Sequence, residues 1–274
     1  MKLLRRWMSI SFMVLVVTSA AFAQDARLRR LETMNEGRVW EAVGRLDIGG
    51  TGFCTGALIS PKLVLTAAHC LFDKASGVRL DHEKIEFRAG WRNGRASATR
   101  EVRRAVVHPQ YDYSSDLTPD RVRNDLALLE LRWPIRNGVI RPFATGASPT
   151  KGDNVGVVSY AKDRSEAPSL QEVCTVLARQ EGVLVTTCTV DFGSSGAPIF
   201  AFEDGQVHIV SVVSAKAEAE GQPVSLGTSL STQLRDLEEE MEAGAGFLPT
   251  TGQTRPRVLV GEPRRDTGAK FVRP

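Results

Sequence analysis

Short apolar or alternating runs, each closed by turn residues, constrain the fold of this chain more than any other feature. They are Ala57–Ser60, Leu63–Ala67, Ile85–Ala89, Val102–Val107, Leu126–Leu131, Val155–Tyr160, Val173–Ala178, Val183–Val190, Ile199–Phe202 and Val207–Val213. Gly, Pro, Asn and Asp punctuate them, as at Ser60-Pro61, Arg92-Asn93-Gly94, His108-Pro109, Arg136-Asn137-Gly138 and Glu203-Asp204-Gly205. Strands this short and this often interrupted predict an all-β protein built as a sandwich or barrels. Two stretches read as helices. Asp25–Asn35 is charged and amphipathic, and Ser231–Glu242 carries Leu234, Leu237 and Met241 at helical spacing after Ser229 or Ser231 as a cap. The 274 residues fit one large domain or two of about 100–125 residues. A boundary between halves is predicted within Trp133–Thr150, where Pro134, Asn137, Gly138, Pro142, Gly146 and Pro149 cluster. Residues 244–274, with six basic and two acidic side chains, read as a flexible tail.

The first 23 residues read as a signal peptide. Lys2, Arg5 and Arg6 form a positive start, Trp7 to Ala21 is apolar apart from Ser and Thr, and Ala21-Phe22-Ala23 is a cleavage site. As a membrane anchor the apolar core is short for a hydrocarbon layer of about 30 Å. The mature chain is therefore expected to begin at Gln24, to be exported to the periplasm or medium, and to leave the membrane after cleavage. The formal charge of +3 is no sign of a nucleic-acid partner. Removing Lys2, Arg5 and Arg6 leaves 32 basic against 32 acidic residues.

Four cysteines, Cys54, Cys70, Cys174 and Cys188, suit an exported chain with two disulfides. Three pairings are open. The nearest-neighbour one closes two loops of about 15 residues, each worth roughly 3 kcal/mol. A zinc site is the rival, but the cysteines lie too far apart for paired C-x-x-C ligands. No metal or cofactor is expected.

Three motifs bear chemistry. In Leu65-Thr66-Ala67-Ala68-His69-Cys70 a strand runs into small residues and a histidine. In Asn124-Asp125-Leu126-Ala127-Leu128-Leu129 an acid enters an apolar strand, which is costly unless the carboxylate is hydrogen-bonded. In Gly193-Ser194-Ser195-Gly196-Ala197-Pro198 a serine sits among small residues in a tight loop before a strand. A serine hydroxyl is a poor nucleophile at neutral pH. It needs a base in reach, and the base needs an acceptor that fixes its tautomer. Ser195, His69 and Asp125 suit those roles, and the N–H groups of Gly193 and Ser195 suit an oxyanion hole. His82, His108 and His208 lack such surroundings and are taken as structural.

In this order the motifs resemble the chymotrypsin-like (trypsin-fold) serine proteases: T-A-A-H-C at His69, D-[IL]-A-L-[LI] at Asp125, and G-D-S-G-G-P, here G-S-S-G-A-P, at Ser195. Cys54-Thr55-Gly56-Ala57-Leu58-Ile59, Val107-His108-Pro109-Gln110-Tyr111 and Ile209-Val210-Ser211 agree with it. The likeness covers roughly Val39–Leu237 and is nearest the bacterial branch that includes the glutamyl endopeptidases. It implies two six-stranded antiparallel β-barrels with a C-terminal helix: residues 39–135 and 136–243, after an N-terminal segment 24–38. His69 and Asp125 would come from the first barrel and Ser195 from the second. The likeness supports the Cys54–Cys70 bridge, and Cys174–Cys188 less directly. It implies a serine endopeptidase acting on peptide or protein substrates; with the signal peptide it is expected to be exported, and a monomer is expected.

Three positions depart from the family pattern. Ser194 replaces the Asp that pairs with a freed N-terminus in the digestive members, so the loop must be held otherwise, by Ser194 hydrogen bonds and packing of Ala197-Pro198. The start Gln24-Asp25-Ala26 is not of the Ile-Val-Gly-Gly type, and residues 24–38 are expected to form a plain surface helix rather than a removable cover. Val213 stands where many members have Gly. The substrate pocket is expected at Thr189, Ser211 and Val213, with Gly227–Ser229 behind. With no acid there, small or medium uncharged side chains are expected before the scissile bond. Two other classes stand beside this one. The first is a catalytically silent protease-like binding protein, and the second is a β-rich envelope protein whose motif matches are coincidence.

Overall fold

The computed structural model describes residues 28–50, 52–219 and 221–247. The expected signal peptide, the expected start at Gln24 and the tail beyond residue 247 lie outside these residues. Fourteen strands run in chain order: β1 Arg29–Arg30, β2 Val43–Ile48, β3 Gly52–Leu58, β4 Leu63–Thr66, β5 Ile85–Ala89, β6 Ala98–Val107, β7 Ala127–Leu131, β8 Ala144–Thr145, β9 Asn154–Ser159, β10 Ser169–Gln180, β11 Val183–Thr186, β12 Pro198–Glu203, β13 Gln206–Ala219 and β14 Gln222–Ser229. Strands β2-β3-β4-β7-β6-β5 close one antiparallel barrel. Strands β10-β11-β14-β13-β12-β9 close the second through the β10–β9 pairing. The chain thus has the expected pair of six-stranded barrels.

Alternation along the strands explains the cores. In β5 Ile85, Phe87 and Ala89 point inward while Glu86 and Arg88 face out. β7, by contrast, is buried along its whole length. An aromatic knot of Trp40, Phe143 and Phe200, with centroids 5.0 Å and 4.7 Å from Phe200, joins the first core to β12. The second barrel has its own core around Val155, Val157, Ile199 and Val213.

The C-terminal helix runs over Gln233–Glu242 and buries Leu234, Leu237 and Met241, as their spacing predicts. Its N-cap is Thr232, which makes no side-chain cap bond, so neither Ser229 nor Ser231 caps it. The tail does not loosen at residue 244. Ala105 N–H donates to Gly246 O at 2.9 Å, and Arg103 and Arg104 lie against the Phe247 ring.

The expected surface helix at the N-terminus is corrected. Arg29 and Arg30 pair with Leu170 and Ser169 as strand β1. Leu31 is fully buried, and its carbonyl accepts from the buried Arg92 Nε at 2.9 Å. Burial of one leucine and sheet bonding of the backbone outweigh the local helical pattern. Among the described residues of this segment, Met34–Gly37 forms the α-helical turn, started by a capping box between Thr33 and Glu36, and a 3-10 turn over Arg38–Trp40 follows.

Candidate active site

His69 lies in a 3-10 turn, Ala68–Leu71, directly after β4. The next residue, Cys70, is bonded to Cys54 on β3, with the two Cα atoms 6.3 Å apart. A staple one residue away fixes where the imidazole starts. The sulfurs of Cys54 and Cys70 come close to the His69 ring, but they are joined to each other and cannot act as thiolate ligands.

Asp125 follows the short helix Pro119–Arg123, capped by Thr118. It is only 3% exposed. Burial of a carboxylate is costly, and three donors offset it. His69 N–H donates to Oδ1 at 2.8 Å, His69 Nδ1 lies 2.7 Å from Oδ2, and Ser214 Oγ donates to Oδ2 at 2.5 Å. A carboxylate against Nδ1 holds the proton there and leaves Nε2 as the acceptor, aimed away from Asp125.

The Ser195 loop belongs to the second barrel and packs on β3 of the first. The Ser195 carbonyl accepts Thr55 N–H at 2.9 Å, and Gly193 O accepts Thr55 Oγ at 2.8 Å, so β3 grips the loop beside the disulfide. Two glycines make the approach possible. A Cβ on Gly193, at φ +96°, would stand 2.3 Å from the Phe53 ring. One on Gly196, at φ +78°, would stand 2.1 Å from Thr66 Oγ1 and 3.0 Å from Ala67 N. Gly196 therefore lies directly against the strand end that leads to His69. No hydrogen bond joins Ser195 Oγ to the His69 ring among the described residues. Along the loop Phe192, Ser194, Gly196 and Ala197 each donate their N–H to a protein oxygen. The N–H groups of Gly193 and Ser195 have no such acceptor among the described residues.

Ser194 is fully buried. Its Oγ meets Ser159 Oγ at 3.2 Å, Tyr160 O at 3.4 Å and the Arg164 guanidinium at 3.4 Å, and it accepts Asp191 N–H at 3.3 Å. Burial pushes the Arg164 pKa down while Asp163 and Asp191 oppose, and a guanidinium remains a cation at neutral pH. A cation from within the chain thus stands behind the Gly193–Ser195 loop.

The expected pocket residues fare differently. Thr189 is exposed, and its N–H donates to Gln171 Oε1 at 2.7 Å. Ser211 and Val213 are both buried. Ser211 is buried with its hydroxyl on Thr228 O, and Val213 is 2% exposed in the second core. The register shift between Val213 and Ala215 turns Ser214 toward Asp125 and brings Lys216 to the rim. Lys216 Nζ lies 3.0 Å from Asp191 Oδ1 and holds that carboxyl below the usual range. Thr228 also crosses between barrels, donating to Val122 O at 2.6 Å. Both expected disulfides form, the second joining Cys174 to Cys188 with Cα atoms 5.0 Å apart.

This arrangement defines a class, and comparison with known proteins agrees. The Trypsin family matches residues 33–233, and the chain belongs to that family. It is 38% identical over 92 residues to a trypsin of Phaedon cochleariae, covering 33% of this chain and 32% of that one. It is 26% identical over 250 residues to serine protease 56 of Mus musculus, covering 81% and 39%. A glutamyl endopeptidase of Bacillus licheniformis is 27% identical over 150 residues, covering 54% and 45%. The matches span well under two thirds of these curated relatives. A solved structure of Glu endopeptidase in complex with MPD superposes with a TM-score of 0.65 at 15% identity, covering 78% of this chain and 96% of that one. That likeness concerns the fold.

Proposed function

We propose that the chain is an exported serine endopeptidase working through Ser195, His69 and Asp125. Ser195 Oγ attacks the scissile carbonyl carbon and its proton passes to His69 Nε2. The carbonyl oxygen, now negative, takes the N–H groups of Gly193 and Ser195. Collapse breaks the C–N bond, His69 returns the proton to the leaving amine, and water then hydrolyses the acyl ester with His69 again as base. The observation that carries the reading is the buried Asp125 bound to His69 at 2.7 Å, in a cleft where only the N–H groups of Gly193 and Ser195 in their loop lack an acceptor among the described residues. Donors held ready for a developing charge are worth a few kcal/mol in rate.

The second reading is a silent protease-like binding protein, and the missing Ser195–His69 hydrogen bond favours it. Unliganded sites often tighten only when substrate binds, so that observation weighs less. Hydrolysis of a denatured protein substrate decides between them. Wild type is expected to cleave it, and Ser195→Ala to lose activity about 10⁴-fold or more. Equal turnover by Ser195→Ala, with the fold intact by circular dichroism, would remove the assignment.

A further inference from the structure

Phe192 is 60% exposed beside Gly193, and two ammonium groups flank its ring. Lys74 Nζ lies 5.2 Å from the ring centre and Lys216 Nζ 4.8 Å. The two cations differ. Lys216 is paired with Asp191. Lys74 has no carboxylate within ion-pair reach among the described residues. Its neighbour Asp73 turns away, accepting from Ser76 N at 2.8 Å, Ser76 Oγ at 2.7 Å and Ala75 N at 3.2 Å. Lys74 belongs to the first barrel and Phe192 to the second, so this contact bridges the two sides of the cleft.

Position assigns the contact a side of the substrate. Lys74 follows His69 by five residues in the same connection. In the proposed reaction His69 hands its proton to the leaving amine, so the residue after the scissile bond comes to rest toward the His69 loop. Lys216, two residues beyond Ser214 on β13, is already neutralised by Asp191, which leaves Lys74 as the free charge beside the ring. We infer that Lys74 and Phe192 form the subsite for the residue that follows the scissile bond, and that it selects an acidic side chain there. This rests on the protease reading. The free ammonium supplies the charge, and the ring supplies an apolar wall for the methylenes of Glu or Asp. An ion pair at an exposed site is worth about two- to fivefold in affinity, and salt weakens it.

The test uses quenched fluorescent peptides that differ only in the residue after the scissile bond: Glu, Gln or Lys. Wild type is expected to prefer Glu over Gln by about two- to fivefold in kcat/KM at low salt, with Lys below both. High salt should shrink the ratio, Lys74→Met should bring it to about one, and Lys74→Glu should invert it in favour of Lys. Lys74 is exposed, so both variants should fold. An activated ester with no residue beyond its scissile bond is assayed alongside. Ester turnover with a Glu to Gln ratio of one overturns the subsite alone. A Glu preference that survives in Lys74→Met also overturns it. Failure to hydrolyse any substrate overturns the protease reading beneath it.

Discussion

His69 and Ser195 stand on loops of different barrels, and different forces hold those loops. The His69 turn is stapled through Cys70 to Cys54 and anchored by the charged Asp125, which takes two bonds from His69 and one from Ser214. The Ser195 loop has no adjacent staple. Its shape depends on two positive-φ glycines, on two neutral bonds from Thr55 and on Ser194 contacts of 3.2–3.4 Å. Bonds to a charged group contribute about 1.5–3 kcal/mol each, neutral ones about 1 kcal/mol. The His69–Asp125 half is therefore the stiff one. The Ser195 half is the softer one, with the Arg164 cation behind it.

The two disulfides give the largest effect expected. Cys54–Cys70 and Cys174–Cys188 close loops of similar length, with sequence separations of 16 and 14. Replacing either pair by serines should cost about 3 kcal/mol in urea unfolding. Only the first pair borders His69, so only its loss should also lower kcat of the folded enzyme. Equal losses of kcat would erase the contrast between the loops.

Arg164 sharpens the comparison from the other side. Arg164→Met should reduce kcat about tenfold with little change in KM, and Arg164→Lys should recover part of it. No change in kcat would mean that glycine geometry alone holds the loop. Because Ser194 meets Arg164 rather than a terminal ammonium, a short N-terminal tag before Gln24 should leave that kcat unaltered.

The smallest effect concerns acid. His108 N–H donates to Leu126 O, beside Asp125, and the ring faces Asp236 at 3.6 Å. Burial lowers the His108 pKa, Asp236 opposes and Arg123 assists. Below about pH 6.5 the unfolded chain takes a proton that the folded chain resists. Stability is thus lost as pH falls from there to the lower folded value, by about 1.4 kcal/mol per unit of difference. His108→Gln should flatten the slope of Tm between about pH 5 and 7 relative to wild type. An unchanged slope would place the acid sensitivity elsewhere.

Much of this was legible in the chain. β5 coincides with its predicted run, Ile85–Ala89, and β4 and β9 lie within one residue of theirs at each end. Strands β2 and β14 escaped because Gly44, Arg45 and Asp47 interrupt one, and Gln222, Pro223, Ser225 and Gly227 dilute the other; their burial comes from closing a barrel. The three motifs led to His69, Asp125 and Ser195, since each lies at a strand edge that local residues mark. No local residue marks Ser214 as a partner of Asp125, because the bulge after Val213 breaks the strand's alternation. Arg164 and Lys74 carry no local signal. What they touch is 30 and 118 positions away in the chain.

The most direct test of the central claim is covalent. A fluorophosphonate forms a stable bond only with a serine activated by its base, so the native protein should gain one adduct, mapped by peptide mass spectrometry to Ser195. His69→Ala and the urea-unfolded chain should gain none. A native protein that stays unlabelled, or an adduct on another serine, would contradict the account.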